Sequence, residues 1–222
     1  MGGFHYRQSV IPTLRILTDL TISKNAVNGI RVDTDLPTFG WRDILGNVTQ
    51  LNIGASKPTF ATYRDSLKQF QFAVNKEEYF EYHIPHDYLQ GSDIFLHPHW
   101  SHIGTLVTGG TITFEYEMSY SKSHNQAAFP ASVTGNITGI ASTTQYQQIL
   151  SEVQVSAASP SGSLIESVNL EPDGLILARI KITSNDITVS GGGVPDPFIH
   201  YVDIHYQSTN LGTKQNAPAF YV

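Results

Sequence analysis

The chain has 222 residues, of which 40% are hydrophobic and only 14% are charged, and its formal net charge is −6. This length suits one large all-β domain, or a smaller domain with an extended arm. The negative charge and the lack of any basic run argue against nucleic acid as a direct partner, because phosphate binding needs a basic stripe. Cysteine is absent, which excludes disulfides and Cys-ligated zinc. No stretch reaches the roughly 18 consecutive apolar residues of a membrane-spanning helix, so we expect no membrane span.

The first 68 residues show no clean hydrophobic period. Turn signals such as Gly40 and Gly54 separate short apolar stretches. We therefore predict an N-terminal arm with short strands over residues 1–68, and not an independent domain.

From residue 69 onward, apolar and polar residues alternate, which is typical of half-buried strands. The clearest strand covers residues 111–120, and we predict that its apolar face packs in the core against a later strand. The residues predicted to form these two core faces are Ile112, Phe114, Tyr116 and Met118, with Ile176, Ala178, Ile180 and Ile182 opposite. Further strands are predicted near residues 69–72, 79–84, 93–100, 146–155, 164–170, 175–183 and 198–206.

About eight antiparallel strands in two sheets is the strand count of a jelly roll. We predict an all-β jelly-roll β-sandwich over residues 69–208, followed by a C-terminal tail over residues 209–222. Residues 171–174 are predicted to form a tight hairpin, and the glycine-rich residues 190–193 a hairpin tip. Residues 121–144, rich in Ser, Thr, Gly, Asn and Ala, are predicted to form a long surface loop.

Five of the nine histidines lie between residues 78 and 102. Gly91 is followed by five residues and then by His97-Pro98-His99, which is the opening of the first cupin motif, Gly-x5-His-x-His. Residues two apart on a strand share a face, and paired imidazoles arranged in this way can bind Zn, Fe, Mn or Ni.

The rest of the cupin pattern is missing. The glutamate expected four or five residues later is replaced by Ile103 and Gly104, and the second cupin motif is not found. Leu96 and Trp100 take the core face of this strand, which turns the intervening histidines outward. We therefore expect no bound metal, and we keep a cupin-like metalloprotein as an alternative function.

Two more histidines, His83 and His86, lie at a strand end and are weaker metal candidates. Asp87 is a candidate to orient His86, although hydrogen bonds to nearby loop backbone are the simpler interpretation. His200 and His205 flank Asp203, and their different parity predicts that they point to opposite sheet faces.

Motifs for other chemistry are also missing from the sequence. There is no Gly-x-Ser-x-Gly elbow, and the glycine run at residues 191–193 opens no helix and carries no lysine, so it is not a phosphate loop. Glu115 and Glu117 lie on one strand face, which is more simply solvated or intersubunit surface than a glycosidase site. We expect a protein that is not an enzyme and uses no cofactor.

Aromatic residues are abundant, with eleven Tyr and eleven Phe. Outward tyrosines are common at protein interfaces and in sugar-binding grooves. A carbohydrate-binding module is therefore a further alternative. The candidate interaction residues are Tyr79, Trp41, Tyr201 and His205.

Several of these segments occur in an order that resembles a set of tailed-bacteriophage and prophage virion proteins. The segments are His83-Ile84-Pro85-His86-Asp87-Tyr88, then Gly91-Ser92-Asp93, then His97-Pro98-His99-Trp100, then a strand of Thr, Phe, Glu and Tyr. Residues 203–214 are similar to the closing motif of these proteins, and Trp41-Arg42-Asp43 to their N-terminal arm. The resemblance spans residues 36–220 and implies a minor structural protein of the virion, with a jelly-roll-like domain and no catalysis.

The resemblance also indicates specific roles in the virion. We expect a capsid decoration or cement protein, or a base or receptor-contact module of a head or tail fibre. The expected partners are copies of the chain itself in a closed oligomer such as a trimer, capsid or tail proteins, and a host-surface glycan.

Overall fold

The computed structural model describes residues 19–22, 30–33, 39–48, 54–159, 162, 164–213 and 215–220. The chain divides into two compact units, Met1–Phe39 and Gly40–Val222. In the first unit, β1 (Asp19–Ile22) pairs antiparallel with β2 (Ile30–Asp33). The rest of the predicted arm up to residue 38, and residues 49–53, lie outside the described residues, as do residues 214, 221 and 222 of the predicted tail.

The second unit consists of strands and one short 3-10 helix at Ser167–Asn169. Within the described ranges there is no α-helix, and so none that is long and apolar enough to cross a membrane. The predicted all-β class is confirmed. The strands are β3 (Gly40–Leu45), β4 (Asn47–Val48), β5 (Thr59–Arg64), β6 (Leu67–Gln71), β7 (Glu77–His83), β8 (Phe95–Ser101), β9 (Val107–Ser121), β10 (Val133–Ile140), β11 (Ile149–Leu150), β12 (Val153–Gln154), β13 (Ser156–Ala157), β14 (Ile165–Glu166), β15 (Leu175–Val189) and β16 (Phe198–Ser208).

Two sheets contain most of these strands. The five-stranded sheet has the order β10-β9-β15-β7-β4. The seven-stranded sheet has the order β11-β8-β16-β6-β5, with β12 also pairing with β8 and β3 also pairing with β16. All pairings within these two sheets are antiparallel, and only the two-residue pair β13–β14 is parallel.

The core lies between the two sheets, as the alternating pattern predicts. Phe114 of β9 and Trp100 of β8 are fully buried and meet edge to face across the sandwich, with ring centroids 5.8 Å apart. All eight side chains predicted for the core faces of β9 and β15 are buried, and Phe114 lies directly opposite Ile182 in the sheet. The period-2 pattern is reliable here because both strands are long and apolar on one side only.

Part of the predicted arm belongs to the sandwich. The compact unit begins at Gly40, whereas the sequence placed the start of the sandwich at residue 69. The cause is β3, which pairs with the second half of β16, together with β5, which pairs with β6. The side chains of β3 are mostly exposed, so this strand carries little hydrophobic pattern and is held mainly by its backbone pairing.

The predicted loop at residues 121–144 is wrong in its second half. There, β10 pairs with β9 from Val133 to Ile140. Glycine makes this pairing fit, because a Cβ on Gly139 would lie 2.9 Å from the rings of Phe114 and Trp100. Because β10 contributes small glycines that leave space for aromatic rings, and not large apolar side chains, it does not have the usual composition of a strand.

Two other predicted strands are shorter than expected. Residues 146–155 contain only the two-residue strands β11 and β12, and residues 164–170 contain β14 and the 3-10 helix. The predicted Pro160–Gly162 turn rests on residues 160 and 161, which lie outside the described residues.

Neither of the two predicted hairpins, at residues 171–174 and 190–193, is present. Residues 171–174 do form a turn, with the Gly174 amide donating to the Glu171 carbonyl at 3.2 Å, but the turn follows the 3-10 helix and not a strand. Its left-handed residue is Asp173, with φ of 61°, whereas Gly174 is needed because a Cβ there would run into the Tyr120 ring. Residues 190–193 connect β15 to β16, which lie in different sheets.

Candidate functional site

The outer side of the seven-stranded sheet carries a concentration of histidine, aspartate and aromatic side chains. Leu96 and Trp100 point into the core, so alternation turns His97 and His99 to the opposite side, as predicted. Strand pairing brings Asp203 directly opposite His97, and opposite residues of an antiparallel pair share a face. We call this surface the histidine face; on the three strands β8, β16 and β3 it comprises Phe95, His97, His99, Tyr201, Asp203, His205, Trp41, Asp43 and Leu45.

At the centre of the histidine face lies a buried carboxylate between two imidazoles. Asp203 is only 3% exposed. Its Oδ1 lies 3.5 Å from His97 Nδ1, and its Oδ2 lies 3.4 Å from His99 Nε2. These distances exceed those of normal N–H···O bonds, and within the described part of the chain neither Asp203 Oδ1 nor His99 Nε2 has a hydrogen-bond partner.

The two imidazoles are oriented from behind by other side chains. His97 Nε2 lies 2.7 Å from Glu152 Oε2, and because an ionised carboxylate only accepts, Nε2 carries the proton. A neutral His97 then presents the lone pair of Nδ1 to Asp203. Gln148 places its amide 3.2 Å from His99 Nδ1 and 3.4 Å from the Tyr201 hydroxyl.

Burial disfavours the charged forms of both Asp203 and His99. It raises the pKa of Asp203 to about 7, and the nearby Asp43 carboxylate adds to that rise. Burial also lowers the pKa of His99, and His97 contributes in the same direction. Both shifts oppose an ionised Asp203–His99 pair, since each group loses hydration that its neighbour does not replace.

Aromatic and apolar side chains surround this centre. Tyr201 stacks on His99 at 4.1 Å between ring centroids, and His205 lies 4.8 Å from His97. Trp41 lies 4.9 Å from His205 and is 49% exposed. Three of the four candidate interaction residues therefore meet here. The fourth, Tyr79, lies on β7 in the five-stranded sheet and does not join them.

His200 and His205 do not point to opposite faces, contrary to the parity prediction. The register shifts between Ile199 and Tyr201, which is a β-bulge that places an extra residue in β16. His200 Nε2 lies 2.8 Å from the hydroxyl of Ser101, which shares the face of His97 and His99. A bulge resets the alternation that follows it.

His83 and His86 belong to a second cluster, which is centred on Asp173. Asp173 Oδ1 lies 3.0 Å from His86 Nε2 and 3.3 Å from His83 Nε2, and its Oδ2 lies 2.9 Å from His124 Nε2. The hydrogen bond from His124 lowers the pKa of Asp173. His86 Nδ1 also lies 2.6 Å from the Thr213 hydroxyl.

Asp87 does not orient His86, so that part of the prediction is wrong. The Asp87 carboxylate accepts hydrogen bonds from Arg42 at 2.7 Å, Tyr206 at 2.9 Å and Ser208 at 2.6 Å. These donors come from β3 and the end of β16. The contact partners of a turn residue depend on which strand ends lie beside it, and these were not visible in the sequence.

Glu115 and Glu117 lie on the outer side of the five-stranded sheet, where they share one cation. Arg179 contacts Glu115 at 2.7 Å, Glu117 at 3.0 Å and Glu77 at 3.0 Å. The predicted surface position of the two glutamates holds, and Arg179 balances part of their charge.

Among the residues that the structure describes, two groups of side chains have the donors and the spacing to hold a metal ion. They are His97, His99 and Asp203, and Asp43, His97 and His205, with the donor atoms of each group within 4.8 Å of one another. The sequence pointed to His97 and His99, but not to Glu152 or to the role of Asp203. Unlike a cupin pair, these two histidines face away from the interior of the sandwich. No protein-family model, curated protein or solved structure matches this chain.

Proposed function

We propose that this chain is a non-enzymatic structural protein of a tailed-phage virion, built on a jelly roll and attached to its neighbours through the histidine face. Its role is that of a capsid decoration or cement protein, or of a base or receptor-contact module of a fibre. The strand order is the observation that carries this proposal.

The strand order supports a jelly roll when β3, β4, β5 and the β13–β14 pair are set aside. We number the main strands from one to eight as β6, β7, β8, β9, β10, β11 with β12, β15 and β16. The seven-stranded sheet then has the order 1-8-3-6, and the five-stranded sheet the order 2-7-4-5. This order matches that of a jelly roll built from two interlocked Greek keys, an architecture found in viral capsid proteins and also in lectins and cupins.

The composition of the histidine face supports its use as a contact surface. Trp41, Leu45 and Leu150 project from it and are each about half exposed or more, at 49%, 61% and 50%. Leu150 lies directly opposite His99 in the sheet. Exposed apolar patches mark contact surfaces, and aromatic side chains are enriched at protein interfaces. A low charge content suits a surface that other subunits cover.

Incorporation into particles tests this surface. The double substitution Trp41→Ser/Leu45→Ser should leave a folded protein that is strongly depleted from purified particles, as measured by quantitative mass spectrometry. Leu177→Ser is the matched control, because Leu177 is an exposed leucine on β15 in the other sheet. Absence of the unmodified protein from purified particles would contradict the proposal, and equal incorporation of both variants would contradict the choice of surface.

The segment before Gly40 gives a second test of how the protein attaches. Because the larger compact unit begins at Gly40, deletion of residues 1–35 should leave the sandwich folded. We propose that this segment docks on an adjacent copy or on a capsid or tail protein, so the deletion should abolish incorporation. Mass photometry of the full chain should show a closed oligomer, with a trimer expected. A monomer would contradict that part of the proposal.

A glycan-binding role is the second candidate, and Trp41 is the observation that favours it. An indole ring that is half exposed and lies beside His205 offers a flat surface on which a sugar can stack. Binding on a glycan array that is lost in Trp41→Ser, but kept in Leu177→Ser, would support the role of a receptor-contact module over that of a cement protein.

A further inference from the structure

We propose that His97, His99 and Asp203 bind one divalent first-row transition-metal ion, which ties β8 to β16 on the outer side of the sandwich. The ion cross-links two neighbouring strands of the seven-stranded sheet beneath the exposed rim of Trp41, Leu45 and Leu150, and three protein ligands leave a fourth position of a tetrahedral ion to water. This inference does not rest on the virion assignment.

The spacing of the donor atoms is the first observation. Tetrahedral zinc with bonds of about 2.0–2.1 Å places its ligand atoms about 3.3–3.4 Å apart. The separations are 3.5 Å from Asp203 Oδ1 to His97 Nδ1 and 3.4 Å from Asp203 Oδ2 to His99 Nε2, so each carboxylate oxygen faces one imidazole. Both are close to the distance between two ligands of one ion, and both are longer than a good hydrogen bond.

The lack of partners is the second observation. Asp203 Oδ1 and His99 Nε2 are buried and have no hydrogen-bond partner within the described residues. Buried polar atoms without partners are costly, and such atoms in native structures are commonly satisfied by a bound water or ion. The side chains of these two atoms, together with His97, have donor atoms within 4.8 Å of one another.

The supporting contacts give both histidines the form that a metal needs. Glu152 accepts a hydrogen bond from Nε2–H of His97, which leaves the Nδ1 lone pair free to bind the ion. A carboxylate behind a metal-binding histidine is a common arrangement. Gln148 can do the same for His99. Exchange of its amide oxygen and nitrogen by a half-turn gives an acceptor for Nδ1–H, while Nε2 binds the ion.

The buried group is a better site than the neighbouring group of Asp43, His97 and His205. The Asp43 side chain is 53% exposed, and water screens its charge. The nitrogen of His97 that is not used by Glu152 points to Asp203. Two imidazoles and one carboxylate favour zinc, manganese, iron or nickel over calcium and magnesium, which take oxygen ligands.

The test uses full-length protein without an affinity tag, stripped with a chelator and titrated with zinc chloride by calorimetry. We expect one equivalent to bind. His99→Gln and Asp203→Asn should each weaken binding at least tenfold. Asp43→Asn is the matched control, because it removes the same charge from the same face, and its zinc affinity should stay within twofold of the unmodified protein.

Cobalt(II) gives an independent readout on the unmodified protein, because its visible absorption reports nitrogen and oxygen ligands directly. We expect ligand-field bands that saturate at one equivalent and disappear when zinc is added. Circular dichroism of each variant separates loss of the site from loss of the fold. If a variant does not fold, the cobalt spectrum still decides whether the site exists.

Three results would overturn the proposal. The first is no binding of zinc or cobalt above the buffer blank. The second is binding that persists in Asp203→Asn and His99→Gln but is lost in Asp43→Asn, which would move the ion to the exposed group. The third is loss of binding only in His86→Gln, which would move the ion to the Asp173 cluster.

Discussion

Two aspartates of this protein lie among histidines, yet their surroundings have opposite electrostatic effects. Asp173 is partly exposed and lies 2.9 Å from His124 and 3.0 Å from His86, and its pKa is lowered. Asp203 is buried, its imidazole neighbours stand 3.4–3.5 Å away, and its pKa is raised to about 7. The residue types alone do not distinguish the two clusters, because each combines one aspartate with histidines.

The difference shows that burial and a few tenths of an ångström decide what an Asp–His cluster can do. At Asp173 the histidines complete hydrogen bonds to a carboxylate that water also reaches, so the cluster is satisfied and fixes a turn. At Asp203 burial removes water, and the histidines do not replace it. The buried cluster therefore needs another group, which we propose is a metal ion.

The largest expected effect comes from breaking the core behind the buried cluster. Phe114→Ala removes the ring that packs on Trp100 and should lower the free energy of unfolding by about 3–5 kcal/mol, because it leaves a cavity. Denaturant unfolding measures this. The control Phe129→Ala, at an exposed position, should cost less than about 0.5 kcal/mol. Equal costs would show that the core does not lie between these two sheets.

A smaller effect is expected beside the exposed cluster. Gly174→Ala should lower the free energy of unfolding by about 1–3 kcal/mol through overpacking. The new Cβ meets Tyr120, whose hydroxyl is held by the Asn169 carbonyl and the Glu171 amide, each at 3.1 Å. Gly193→Ala is the matched control because nothing lies within 4 Å of its Cβ position. A neutral Gly174→Ala would mean that the turn carrying Asp173 shifts easily.

The buried aspartate should respond in the opposite direction to most core substitutions. In metal-free protein, Asp203→Asn should raise the free energy of unfolding by about 1–2 kcal/mol, since a neutral amide loses less hydration than a buried carboxylate whose Oδ1 has no hydrogen-bond partner within the described residues. Thermal unfolding in the presence of a chelator measures the change. Asp43→Asn, on the exposed part of the same face, should have almost no effect. A clear loss of stability in Asp203→Asn would mean that the histidines already satisfy the carboxylate.

The smallest effect is expected at the exposed cluster, and it should depend on pH. The folded-state pKa of Asp173 lies below its usual value of 3.8, so the carboxylate stabilises the fold above that value, and the contribution is lost as pH falls through the lowered pKa. Asp173→Asn should therefore cost about 0.5–1 kcal/mol at neutral pH and almost nothing at an acid pH below that lowered pKa. Urea unfolding at both pH values checks this, and a cost that is unchanged in acid would rule out the charge as its source.

The all-β class and the direction of the main strands' side chains follow from the amino-acid pattern alone. Strict alternation placed Phe114 in the core and turned His97 and His99 outward, because the two-residue period of a strand is a local property of the backbone. Composition did not reveal β3 and β10, because these strands carry few large apolar side chains. Their formation depends on pairing with β16 and β9.

Which residues form a site depends on the three-dimensional fold. Asp203 meets His97 and His99 because β16 pairs with β8 across about 100 positions of chain, and Glu152 and Gln148 reach the same histidines from the segments around β11 and β12. The bulge at His200 and the gathering of three histidines around Asp173 are likewise invisible to local pattern. Long-range pairing and a one-residue register shift set these contacts, and neither leaves a periodic signal in the amino-acid sequence.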